Sequence, residues 1–196
     1  MIWKFITFLV RKLEPEIAHQ ISLIALKLGF HPRLKRIEIP VKINNLHFTN
    51  FLGVAAGFDK NAQIVERIHY LNFGLTEVGT ITPLPQYGNP KPRVFRLEKD
   101  KAIINRNGFN NLGMAQAIKK LKNYRKKFPV GSDFILGVNI GPNKDSNDRF
   151  NDYEILSKNL SEFADYLTIN ISSPNTPNLR DFHQTNNLKK VLISVK

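Results

Sequence analysis

The sequence predicts an α/β protein built on a parallel sheet. Three observations carry that expectation. First, short continuous apolar runs over residues 51–56, 75–81, 134–140 and 166–171 alternate with stretches at helical spacing, giving four strand–helix units in a row. Strands apolar along their whole length belong to sheets covered on both faces, and regular alternation with helices makes those sheets parallel. Second, every run ends in a polar segment rich in Gly, Pro or Asn. These ends are Ala55-Ala-Gly-Phe-Asp-Lys60, Gly79-Thr-Ile-Thr82, Asn139-Ile-Gly-Pro-Asn-Lys144 and Asn170-Ile-Ser-Ser-Pro-Asn-Thr-Pro177. Third, no Gly-x-Gly-x-x-Gly or Walker loop marks a dinucleotide or P-loop site. A doubly wound sheet and a (β/α)8 barrel both fit the alternation. Chemistry gathered at the C-terminal ends of strands is the habit of the barrel. One polar strand end is a turn, whereas four on one rim make a site.

The elements follow in order. Residues 1–30 are amphipathic and basic. Ile2, Trp3, Phe5, Ile6, Phe8, Leu9 and Val10 form a short apolar patch bounded by Lys4 and Arg11-Lys12. Pro15 opens a second helix with Ile17, Ile21, Ile24 and Leu28 on one face, and Gly29 stops it. No run reaches the ~20 apolar residues of a spanning helix, and the start lacks the apolar length and small-residue cleavage site of a signal peptide. Two readings stay open. The pair packs on the main domain as a hairpin, or its apolar face lies in a membrane interface with Lys and Arg toward anionic headgroups. Trp3 and Phe8 near the terminus favour the membrane. A basic linker over 31–40 ends this first domain at residue 40 and leaves 41–196 as the second.

Val41 and Ile43, an Asn44-Asn45 turn, then Leu46 and Phe48 predict a hairpin. The first strand (51–56) is followed by a helix over 61–72 on Ile64, Ile68 and Leu71. After the strand over 75–81 comes a long excursion punctuated by Pro83, Pro85, Gly88, Pro90 and Pro92, with a ribbon over 93–104. A helix over 111–128 rests on Met114, Ile118 and Leu121. The strand over 134–140 precedes a helix on Tyr153, Leu156, Leu160 and Phe163. The last strand (166–171) leads to a helix on Leu188, Val191, Leu192 and Val195.

Composition narrows the chemistry. Of 196 residues 42% are apolar, the content of a core former, and none is Cys, which excludes disulfides, thiolate nucleophiles and Cys-held metals. The five His show no ligand spacing, so no metal site is expected. The net charge of +13 suits anionic ligands or an anionic surface. The densest run is Lys119, Lys120, Lys122, Arg125, Lys126 and Lys127. It has no helix-turn-helix, RRM or finger pattern beside it, and a nucleic-acid partner is not expected. Gly57 allows close backbone approach to a ligand. Asn105-Arg-Asn-Gly-Phe-Asn-Asn111 forms a polar loop able to fold over the rim.

Six segments together go further. Ala55-Ala-Gly-Phe-Asp-Lys60, Gly79-Thr-Ile-Thr-Pro83, Lys91-Pro-Arg-Val-Phe-Arg96, Ile104-Asn-Arg-Asn-Gly-Phe-Asn-Asn111, Gly137-Val-Asn-Ile-Gly141 and Asn170-Ile-Ser-Ser-Pro-Asn-Thr-Pro177 resemble the successive motifs of the quinone-dependent (class 2) dihydroorotate dehydrogenases. Order and rough spacing match over nearly the whole chain, including the N-terminal helix pair. The resemblance implies a TIM barrel, with about four of its eight βα units present. It implies oxidation of (S)-dihydroorotate to orotate in pyrimidine biosynthesis, with FMN as hydride acceptor and a membrane quinone as final acceptor. By the same carry-over, Ala56, Gly57, Phe58, Asp59, Lys60, Thr80, Asn139 and Asn170 contact FMN. Lys60, Asn105, Arg106, Asn107, Gly108, Phe109, Asn170 and Asn175 surround the substrate.

Ser173 is the implied base where class 1 members carry Cys, with Thr176 or an ordered water screened by Phe109 as its proton relay. The residue types suit the reaction: an ammonium complements the orotate carboxylate, and amides read its oxygens. By the same resemblance, the helix pair would form a quinone mouth, and the protein would be a peripheral membrane protein on the cytoplasmic face of a bacterial inner membrane. Asn107 stands where the family commonly has Met, and Pro142 where it commonly has Lys. The length supports a second expectation, a catalytically inactive remnant acting at most as a membrane-associated binding protein.

Overall fold

A computed structural model of the chain describes residues 2–32 and 38–195; the centre of the basic linker expected over 31–40 lies outside the described residues. Helices α1 (Ile2–Val10) and α2 (Pro15–Lys27) come first. The hairpin β1 (Val41–Ile43) and β2 (Leu46–Phe48) follows. Then come β3 (Gly53–Val54), α3 (Val65–Tyr70), β4 (Leu75–Ile81), the ribbon β5 (Val94–Leu97) and β6 (Ala102–Asn105), α4 (Met114–Arg125), β7 (Ile135–Ile140), α5 (Arg149–Leu160), β8 (Tyr166–Ile169) and α6 (Thr185–Ser194).

Strands β3, β4, β7 and β8 form one parallel sheet in that spatial order. Each new strand is added on the same side of the last. A doubly wound sheet reverses direction at a switch point, so the sequential order decides for the barrel: the sheet is four staves of its wall. Val78, Ile81, Leu136, Val138 and Ile140 face the helices and pack with Ile68 of α3, Leu121 of α4 and Leu156 and Leu160 of α5 in one core. Full burial of each such side chain contributes ~1.5–3 kcal/mol.

Boundaries move where side chains intercept the backbone. The first strand contracts from 51–56 to Gly53–Val54. Asn50 Oδ1 accepts from the backbone N–H groups of Leu52 and Gly74, bending the chain away. The helix expected over 61–72 starts only at Val65. Ala62 has φ of 52°, and Asp59 takes the N–H groups of Gln63 and Ile64. The helix expected over 111–128 begins at Met114 because Asn111 forms an antiparallel bridge with Gln86. Helix α5 starts early, at Arg149, where Asp148 Oδ1 caps Phe150 and Asn151. A 3-10 turn at Leu179–His183 was not expected.

The face of α2 that the apolar spacing selects is turned outward: Ile17, Ile21, Ile24 and Leu28 are 41–67% exposed. Ala18 is buried instead, and Leu23 and Leu26 pack on the core. Helix α1 buries no residue. Among the described residues no helix is long and apolar enough to cross a membrane.

Candidate functional site

The rim at the C-terminal ends of the strands is laced together by backbone and side-chain bonds. Gly57 N donates to Gly79 O at 2.8 Å and Gly79 N to Asp59 O at 3.1 Å, fastening the loop after β3 onto the end of β4. The Gly79–Thr80 peptide is cis. Gly79 has φ of 105°, and a Cβ there would lie 2.4 Å from Asn139 O, so no side chain fits. A Cβ on Gly57 would meet nothing within 4 Å: the space above it, beside half-buried Ala56, is open. Lys60 is half-buried and its Nζ donates to Gly57 O at 2.6 Å. Burial lowers its pKa from the ordinary lysine value, with the Arg93 charge acting the same way against Glu16.

Three of the expected residues meet directly. Thr80 Oγ1 donates to Asn139 Oδ1 at 2.7 Å, and Asn170 Nδ2 lies 3.1 Å from Thr80 Oγ1 and 3.2 Å from Asn139 Oδ1. The loop after β8 is pinned from behind. Tyr153 OH donates to Asn170 O at 2.7 Å, Arg180 to Ser172 O and Arg149 to Pro177 O. Within it Ser173 Oγ accepts from Asn175 N at 3.2 Å. Thr176 is 3% exposed and its hydroxyl has no partner.

The loop over 105–111 is stitched to the excursion before it. Gln86 Nε2 donates to Gly108 O, and Asn89 N donates to Asn107 O. Phe109, with φ of 53°, lays its ring against Gly141, whose absent Cβ would stand 3.1 Å from it. Asn105 Oδ1 accepts from Asn107 Nδ2. Arg106 spends its guanidinium on Pro92 O. Asp59 is likewise committed to backbone, its carboxyl pushed up by burial and pulled back by the N–H groups it accepts. Phe58 offers its carbonyl to His19 and packs its ring on the core.

A cleft of about 310 Å³ opens between α2 and this rim, and Gly57, Lys60, Asn105 and Asn107 line it. So do three residues to which sequence reasoning gave no role: Glu16, His19 and Arg93. Arg93 is 6% exposed and binds Glu16 Oε1 through Nη2 at 2.8 Å and Nε at 3.1 Å, while Nη1 donates to Tyr87 O and Asn89 O. His19 Nε2 lies 2.7 Å from Phe58 O. Burial lowers the imidazole pKa, and the Phe58 carbonyl opposes this. Arginine inside the Lys91-Pro-Arg motif was a signal for such a buried pair; nothing in the sequence pointed to its partner 77 residues away. Among the described residues no group of three or more His, Asp or Glu is placed to hold a metal ion.

The chain is similar to proteins already known. The dihydroorotate dehydrogenase family model matches residues 38–196. The dihydroorotate dehydrogenase (quinone) of Bartonella tribocorum is 48% identical over 185 residues, covering 93% of this chain and 50% of that protein. The protein of the same name from Erythrobacter litoralis is 45% identical over 197 residues, covering 100% of this chain and 56% of its own length. The crystal structure of the Eimeria tenella enzyme in complex with ferulenol superposes with a TM-score of 0.88 at 41% identity, over 95% of this chain and 53% of that one. The chain thus spans about half the length of the relatives it matches.

Proposed function

Because the chain belongs to the dihydroorotate dehydrogenase family, we propose that it supplies the first half of an FMN site at which (S)-dihydroorotate is oxidised to orotate, with a membrane quinone as final acceptor. The observation that carries the reading is the convergence, on one rim, of the Thr80–Asn139–Asn170 cluster and open-faced Gly57 beside Lys60. A planar ring with polar edges fits there: space lies over Gly57, and the amides and hydroxyl both donate and accept. Ala56, Gly57, Lys60, Thr80, Asn139 and Asn170 would hold it. Bound FMN supplies the hydride acceptor. In barrels of this kind phosphate loops often follow strands seven and eight, and this chain carries the first four.

Ser173 takes the proton from C5 of the substrate. The buried, unpartnered hydroxyl of Thr176 stands three residues on and supports a relay through it. The partly desolvated ammonium of Lys60 gains most from an anion, which suits the orotate carboxylate. Asn105, Asn107 and Asn175 read the remaining oxygens. The cleft between α2 and the rim offers the quinone a path, and the outward apolar face of α1 and α2 suits docking on the cytoplasmic face of a bacterial inner membrane.

Absorbance of the purified chain tests the cofactor: a flavin spectrum is expected. A colourless protein would favour a catalytically inactive remnant. In flavin-loaded protein, Ser173→Ala should slow flavin reduction by dihydroorotate ~10²–10⁴-fold; an unchanged rate removes Ser173 as base.

A further inference from the structure

Glu77 sits in the middle of β4. Its neighbours in sequence, Thr76 and Val78, are fully buried, and Val78 packs on the helices. Alternation therefore puts Glu77 on the opposite face, the inside of the barrel wall. Its partner in register on β7 is Gly137, and the partner of Gly137 on β8 is Tyr166. Gly137 leaves the middle of that row bare. A Cβ there would lie 2.2 Å from the Tyr166 ring. The ring therefore crosses over β7, and its hydroxyl donates to Glu77 Oε2 at 3.0 Å. Thr168 Oγ1 donates to the same oxygen at 2.9 Å, and Asn139 Nδ2 donates to Oε1 at 2.8 Å.

A carboxylate accepts and does not donate, so it dictates which way each partner points. With its amide nitrogen held by Glu77, Asn139 turns its carbonyl oxygen to the rim. That oxygen takes the Thr80 hydroxyl proton and one Asn170 amide proton. Thr80, having donated, accepts from Asn170 Nδ2. Both Asn170 amide protons now point inward, and its Oδ1 faces Ser172, whose N and Oγ lie 3.3 and 3.4 Å away. One polarity runs unbroken from Glu77 to the residue before Ser173.

We propose that Glu77 is the positioning residue of this rim: by fixing the Asn139 amide it sets the donor and acceptor pattern that Thr80, Asn139 and Asn170 present to flavin and substrate. The inference rests on the flavin reading of the rim above. Gly137 is its accessory, because only a bare position lets Tyr166 reach the carboxylate.

The test compares Glu77→Ala, Glu77→Gln and Gly137→Ala with the parent chain by two readouts: side-chain amide ¹H–¹⁵N resonances of Asn139 and Asn170, and FMN affinity by fluorescence titration. Glu77→Gln keeps an acceptor for Asn139, because both hydroxyls can turn to accept from its new amide. Its Asn139 and Asn170 resonances should stay near the parent positions, with FMN affinity within about threefold. Glu77→Ala should shift both amide pairs, speed their exchange and weaken FMN by about tenfold or more. Glu77→Met, of similar length but without an acceptor, carries the same expectation should the alanine variant not fold. Gly137→Ala should move Tyr166 and leave the Asn139 amide in place.

Unmoved Asn139 and Asn170 resonances in Glu77→Ala or Glu77→Met overturn the proposal. So does Glu77→Gln as damaging as either, which would make the charge and not the orientation matter. If the parent chain binds no FMN, the flavin reading fails separately, and the amide resonances alone still decide whether Glu77 orients the rim.

Discussion

In the barrel wall Val78, Leu136, Val138 and Ile140 are wholly buried against the helices, whereas α1 buries no residue and α2 buries only Ala18. The wall is held by apolar packing. The helix pair is held chiefly by polar ties: the Glu16–Arg93 ion pair, the His19 contact with Phe58 O, and Arg96 Nη1 donating to Arg11 O and Leu13 O. The difference teaches that the outer apolar surface of the pair, Ile17, Ile21, Ile24 and Leu28 included, stays off the core on which Leu23 and Leu26 pack. Its attachment answers to charge and pH, while the wall answers to loss of volume or of a buried partner.

The largest expected effect lies in the wall. Asp165, with a side chain 1% exposed, binds Arg125 Nη2 and accepts from Gly131 N and Leu136 N, each at 2.8 Å. Asp165→Ala strands that guanidinium and should cost ~3–5 kcal/mol, seen as a lower urea midpoint for the whole sheet. A midpoint within error of the parent would show that the wall is not the cooperative unit. Next comes Arg93→Ala, which leaves the Glu16 carboxylate without its guanidinium. A loss of ~1.5–3 kcal/mol should speed amide exchange in α2 about 10- to 100-fold while β4 and β7 keep their protection. Equal acceleration in both regions would erase the distinction.

The smallest effect is in pH. Burial lowers the His19 pKa from its ordinary 6.5, so the undocked or unfolded chain holds the proton more strongly. Docking stability is then complete above about pH 6.5 and falls as the pH drops below it, by at most about 1.4 kcal/mol per unit. Proteolysis of α2 should accelerate between pH 7.5 and 5.5 in the parent and lose that dependence in His19→Gln. A flat parent profile would separate His19 from the docking.

Much of the wall was legible because its strands write their position as apolar runs, and the strand ends wrote theirs as Gly, Asn and Ser. The orientation of α2 was not. Its most apolar stripe, Ile17 to Leu28, points to solvent, and its inward side mixes Leu23 and Leu26 with Ala18, Ser22, Glu16 and His19, a pattern that periodicity reads backwards. The start of α3 was hidden in the same way, since a capping Asp59 and a left-handed Ala62 leave no trace in apolar spacing. In the candidate site, Asn139, Asn170 and Thr80 could be named singly, but their common anchor, Glu77, looks in sequence like an ordinary polar residue within an apolar strand. Only the register that sets it level with Gly137 and Tyr166 gives it a place.

Arg93 has two ends in use at once. Its guanidinium grips α2 through Glu16 and holds the carbonyls of Tyr87 and Asn89, while its backbone carbonyl accepts from Arg106 N at the root of the 105–111 loop. Asn89 closes the frame by donating to Asn107 O and Arg106 O. In mechanical terms the residue is a pivot with the helix pair on one arm and the proposed substrate loop on the other. Through that one residue the helix pair and the proposed substrate loop share a set of hydrogen bonds that runs outside the strands of the wall.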